Sequence, residues 1–243
     1  MYHEGELSVQ RKAGVAAEAA RVGRIIGKTI PPVAADFLAA QSIVIASTID
    51  REGLVWATPL IGSFCAEDSQ TLRIRTSTDL QLDDPRIGLL AIDFETRRRM
   101  RINGRVTRDG RDFIVTADEV YSNCPKYIHP RPAKPDTSSP ERWIATSDTF
   151  FIASVNPDRG ADASHRGGDP GFARLDGTRI TFPDYSGNNM FNTLGNLETN
   201  PDCGLLFLDF DQGRILQISG KGHIEWEPER RVVIDVKPPL RRT

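Results

Sequence analysis

Cysteine is scarce in this 243-residue chain, and the three present, Cys65, Cys124 and Cys203, form no CxxC pair. An odd number of widely spaced thiols argues against a disulfide framework or a metal site, so reduced thiols in a cytoplasmic protein are expected. Excess charge is missing too. A formal net charge of −2 argues against broad nucleic-acid binding. No apolar run approaches the roughly 20 residues that span a bilayer, so no membrane partner is expected. The N-terminal stretch has no continuous apolar region of the kind a secretory leader needs. His3, His129 and His223 show no metal-ligand spacing with one another, and His223 on an alternating stretch reads as structural. GxSxG, Walker, HExxH and strand–helix GxGxxG patterns are all absent, which leaves hydrolase, kinase and Rossmann readings without support.

What is present is a duplication. Gly88-Leu-Leu-Ala-Ile-Asp-Phe94 returns as Gly204-Leu-Leu-Phe-Leu-Asp-Phe210, an offset of 116 positions. Ile45-Ala-Ser47 returns as Ile152-Ala-Ser154, an offset of 107. The second copy therefore carries nine extra residues, which fall in the polar, glycine-rich run 165–200. Repeats of this length are whole small domains, and polar material added to one copy points to one working site on a two-part frame.

Five segments follow from the composition. Residues 1–40 form an N-terminal helical segment, with a helix over 6–27 ended by Pro31-Pro32 and a second over 33–40. Residues 41–120 form the first repeat, with strands at 42–49, 54–63, 70–76, 87–94, 98–108 and 112–117. A proline-rich connection covers 121–148, where five prolines oppose any sustained helix or central strand. The second repeat, 149–228, carries strands at 149–155, 161–166, 171–175, 178–182, 203–210 and 214–226, and a short helix over 189–198. Residues 229–243 read as a tail, unstructured from Val236. The expected fold is mainly β, each repeat a small closed barrel.

Three stretches can carry chemistry. In His165-Arg-Gly-Gly168, a cation followed by glycines permits close backbone approach to an anion; a plain hairpin loop is the equal alternative. In Phe182-Pro-Asp-Tyr-Ser-Gly-Asn-Asn189, Ser186, Asn188 and Asn189 exceed what capping the next helix needs, and a helix start preceded by small polar groups suits a phosphate. In the connection, Lys126, Tyr127 and Arg131 offer side chains able to close over an anionic ligand, against the alternative of a solvated basic loop. The run Arg97-Arg98-Arg99 with Arg101 reads as a solvated face.

These motifs together, with Thr193-Leu-Gly-Asn-Leu197 and Gly204 to Phe210, resemble FMN-binding split-barrel proteins related to pyridoxamine 5′-phosphate oxidase. Tyr2 to Leu7 and Cys124 to Ile128 look like its tandem-repeat branch. The resemblance implies tandem split barrels with FMN at their junction, anchored by the second repeat. Carried over residue by residue, Ser164, His165, Arg166 and Gly167 would flank the ring and ribityl chain. Thr181, Phe182 and Pro183 would offer backbone groups; Ser186, Asn188, Asn189 and Thr193 would take the phosphate. Asn196 and Gln217 would border the ring, and Lys126 and Arg131 would supply charge. The family's lysine or arginine near the helix start is replaced here by Asn-Asn-Met-Phe-Asn-Thr, so another cation has to serve the phosphate. The resemblance also implies an oxidoreductase with an electron donor such as NAD(P)H, and a homodimer. A non-catalytic flavin-binding or sensing protein, and a related barrel using haem or F420, stand as rival readings. No general acid or base can be named.

Overall fold

The computed structural model describes residues 2–80, 82–130 and 132–242. The chain opens with α1 (Glu4–Lys12), whose start is fixed by a reciprocal cap. His3 Nδ1 accepts from the Gly5 N–H, and Glu6 Oε2 accepts from the His3 N–H at 2.9 Å. The long helix expected over 6–27 breaks at Ala13–Val15, where Gly14 takes φ 70°, and resumes as α2 (Ala16–Val22). Proline in its first turn then starts α3 (Pro32–Ala39).

Six antiparallel strands follow: β1 (Ile43–Ile49), β2 (Val55–Ala66), β3 (Thr71–Thr76), β4 (Arg86–Asp93), β5 (Arg98–Asp109) and β6 (Asp112–Ser122). They close into a barrel in the order β1-β2-β3-β6-β5-β4, filled by Val44, Leu60, Phe64, Ile74, Leu89 and their neighbours. The connection holds one short helix, α4 (Pro140–Thr146), with Pro140 in its first turn and Ser139 as cap. The prolines thus exclude a long helix but begin a short one.

The second body comprises β7 (Thr149–Asn156), β8 (Gly160–Gly167), β9 (Arg174–Asp176), β10 (Arg179–Pro183), α5 (Asn192–Thr199), β11 (Asp202–Asp209), β12 (Arg214–Glu225) and β13 (Arg231–Arg242). It departs from the expected closed barrel. Among the described residues it is a seven-stranded sheet ordered β8-β7-β11-β12-β13-β10-β9. The supposed tail is also corrected: β13 lies between β12 and β10, with Val232, Val233 and Ile234 buried. Pro238 and Pro239 are tolerated because they sit where the ladder shifts register, opposite the Gln217–Ser219 irregularity.

The two bodies meet through a third apolar cluster, including Ile45, Val55, Ala57, Leu90, Phe151, Ala163 and Leu206. The repeat makes this junction pseudo-symmetric, with β4 against β8 and β11 against β2. The matched glycines show why. A Cβ on Gly88 would sit 2.5 Å from the Ala161 carbonyl oxygen, and one on Gly204 would sit 2.4 Å from that of Val55. Only glycine lets the backbones approach so closely. No helix among the described residues is long and apolar enough to cross a membrane.

Candidate functional site

Strand alternation decides what the first barrel gives to the junction. In β5, Met100 and Ile102 enter the barrel core, so Arg99, Arg101 and Asn103 face outward on the other side of the pleat. The arginine run therefore does not form one solvated face. Arg97 and Arg98 are exposed, Arg99 is partly buried, and Arg101 is only 6% exposed.

Arg101 is held by a dense set of acceptors. Its Nη1 donates to Asp162 at 2.8 and 3.0 Å and to Asn192 Oδ1 at 3.2 Å. Its Nη2 donates to Ser164 Oγ at 2.6 Å, and that hydroxyl meets Thr193 Oγ1 at 2.7 Å. Burial opposes the charge on Arg101, but Asp162 more than offsets this and holds it protonated. One arginine from the first repeat thus ties β8 to the start of α5.

In front of that brace is a cavity of about 90 Å³. Arg99 and Arg101 line it from β5, Lys126 and Tyr127 from the connection, His165 and Arg166 from β8. Arg99 donates through Nη2 to the Cys124 carbonyl at 2.6 Å and through Nη1 to His165 Nδ1 at 3.2 Å. An arginine can only donate, so Nδ1 is the acceptor and the His165 proton sits on Nε2. Burial, followed by Arg99 and Arg166, keeps His165 neutral by pushing its pKa well below the ordinary value. Burial and the neighbouring Arg101 and Arg166 depress Arg99 to about 9. Arg166 is also lowered, by burial first and then by Arg101.

These groups are costly to bring together without a counter-charge. Among the described residues the only carboxylate on the cavity wall is Asp184, which pairs with Arg230 at 2.7 Å. Arg99 and Arg166 make no ion pair among the described residues. Arg99 Nε, Arg166 Nε and His165 Nε2 are all buried donors without a hydrogen-bond partner. Leaving such a donor unmade costs about 1–3 kcal/mol each. All three residues line the cavity, where an anion would offset their charge.

The start of α5 adds to the field. Its N-cap is Phe191, at φ 60°, with no side-chain cap, so Ser186, Asn188 and Asn189 do not cap it as expected. Asn188 instead turns its Oδ1 to the Met190 N–H. The roof is aromatic. Tyr127 and Tyr185 stack at 5.0 Å, and the Tyr127 hydroxyl donates to the Ser186 carbonyl.

Of the residues expected at the site, the structure brings Lys126, His165, Arg166, Gly167, Pro183, Asn188, Asn189 and Thr193 to this cavity. Ser164 lies just behind it in the Arg101 brace, and Ser186 contributes its carbonyl to the roof. Four others are placed elsewhere. The Phe182 ring packs in the core of the second body against Phe150, and Thr181 pairs within the sheet with Arg174 and Val233. Asn196 bonds Ser154 and His3 on the α1 side. Gln217 donates to the Ala57 carbonyl and Thr58 Oγ1 at the opposite edge of the junction. The 116-residue offset explains that last placement, because Gln217 is the repeat counterpart of Arg101. Arg131 lies outside the described residues. Arg99 and Arg101, which the sequence reading left out of the site, line the cavity and were legible only through the alternation of β5.

A family model for pyridoxamine 5′-phosphate oxidase matches residues 140–236, less than half of the chain. That stretch is a pyridoxamine 5′-phosphate oxidase-like split-barrel domain. Two solved structures are also similar in part. A HupZ variant from Group A Streptococcus is 15% identical, with 41% of this chain and 93% of that chain covered and a TM-score of 0.34. An F420 reductase is 16% identical, with 43% and 97% covered and a TM-score of 0.30. Both overlaps are too loose to bear on function. No curated protein matches the sequence.

Proposed function

We propose that the chain is an FMN-dependent oxidoreductase whose cofactor phosphate binds at the body junction, between Arg99, Arg166 and the start of α5. The observation that carries this reading is the convergence of three buried, unpartnered donors from two repeats on one cavity. The domain's family includes flavin-, F420- and haem-binding members, which supports a phosphorylated ring cofactor without choosing among them.

The donor set fits a phosphate, and the volume fits a phosphate as well. Ligand cavities for molecules of flavin size are roughly 300–1,000 Å³. At about 90 Å³ the cavity admits the ring only if the Tyr127–Tyr185 roof moves. Bound there, FMN would supply hydride or electron transfer between a donor such as NAD(P)H and a small substrate. The protein's own part is electrostatic and positional. Arg99 and Arg166 offer fixed positive charge to the anion, and Arg101 holds the floor through Asp162 and Ser164. Neutral His165 presents an Nε2–H donor, and the tyrosine pair shields the site from water.

The test is the absorbance spectrum of purified protein with and without added FMN, F420 or haem, followed by NAD(P)H consumption by the loaded protein. A flavin spectrum with FMN bound in preference to F420, together with NAD(P)H consumption, is expected. A haem Soret band or preferential F420 binding would replace FMN, and FMN binding without turnover would leave a flavin-binding protein that is not an enzyme.

A further inference from the structure

A second, larger cavity adjoins the first. It measures about 680 Å³ and lies between the N-terminal segment and the outer face of the barrel, at the β5 and β6 edge. Its rim is apolar, with Ile25 51% and Val33 63% exposed, and Phe37 forms part of the wall. Arg97, Arg98 and Arg99 line it, and among the described residues no carboxylate does. None of the three makes an ion pair among the described residues. Arg98 is held over the Phe37 ring at 5.1 Å. Arg99 and Asn123 also line the junction cavity, so the two spaces share a wall. Asn123 Oδ1 on that wall is buried without a partner.

Apolar surface at the mouth, three arginines without an ion pair among the described residues and a volume suited to a small molecule describe one kind of occupant. We propose that this cavity binds an amphipathic organic anion, an aliphatic or aromatic carboxylate, and presents its charged end to Arg99 beside the junction cavity. That such an anion is the substrate rests on the flavin reading; that it binds does not.

The experiment is fluorescence titration of the full chain with anilinonaphthalene sulfonate, with dodecanoate and dodecanol as competitors. One saturable site per chain is expected, displaced by dodecanoate at least about tenfold more effectively than by dodecanol. Arg98→Glu and Val33→Asp alter solvent-facing side chains, and unchanged circular dichroism and melting will show that both fold. Each should weaken dodecanoate binding about tenfold or more, which corresponds to about 1.4 kcal/mol, with FMN titration unchanged. Equal displacement by dodecanol, or unaltered binding in both variants, overturns the proposal. So does a concentration-dependent dimer that hides the cavity until Val33→Asp separates the copies. Should FMN fail to bind while dodecanoate behaves as described, the cavity assignment stands and the flavin assignment falls.

Discussion

Arg99 is held in the fold against its own preference, and that makes it the sharpest probe of the site. Its depression from the ordinary arginine value to about 9 corresponds to several kcal/mol of opposition to its charge, an upper bound because solvent at its partly exposed edge screens it. Against this stand two hydrogen bonds, to the Cys124 carbonyl and to His165, each worth about 1–1.5 kcal/mol. Replacing Arg99 with Met removes both terms. The net result should be a gain of about 1–2 kcal/mol, or about 2–8 °C in melting temperature for a chain of this size. The sign follows from linkage. A base with a lowered folded-state pKa is penalised wherever it is charged, below about 9, and the penalty disappears only as pH rises through that value toward the ordinary arginine range. The same substitution removes a charge-assisted contact and should weaken FMN binding by about tenfold or more. Thermal unfolding in phosphate-free buffer and flavin fluorescence quenching measure the two effects. Should Arg99→Met melt lower and bind FMN with unaltered affinity, the anion-site argument is wrong.

Three further outcomes follow from other contacts. Asp162→Asn leaves Arg101 buried without its carboxylate and should cost about 3–5 kcal/mol, read by urea unfolding. Glu6 is raised to about 7, first by burial, so the fold favours its protonated form. The stability this group contributes should be fully present below about pH 4.5 and should fall by up to about 3 kcal/mol as pH rises to 7. Glu6→Gln should flatten that slope in unfolding measured across the same window. Gly204→Val places side-chain atoms against the Val55 carbonyl and should cost about 1–3 kcal/mol, with looser FMN binding as the bodies are forced apart.

The sequence showed the two-part frame because duplication and period-two alternation are local signals. Eleven of the twelve expected strands lie where alternation put them; only 171–175 shrank to Arg174–Asp176. The strand order of the second body was not legible, since it depends on which strand lies beside β10. That neighbour is β13, disguised by Pro238-Pro239, although Val232-Val-Ile234 carried a strand signal just before them. The site divided in a similar way. The glycine-bearing strand end at His165–Gly167 and the polar loop before α5 were visible as motifs. Arg99 and Arg101 were set aside with their exposed neighbours because a charge run says nothing of which side of a pleat faces a partner. Gln217 lies away from this cavity for a related reason. It matches the site's arginine in the repeat but occupies the other end of the pseudo-two-fold junction.

The most direct test is a crystal structure of the protein soaked with FMN. The phosphate should lie within hydrogen-bond distance of Arg99 and Arg166 at the start of α5, with the ring where Tyr127 and Tyr185 now stack. A flavin bound at the Gln217 edge, or a phosphate touching neither arginine, would contradict the account.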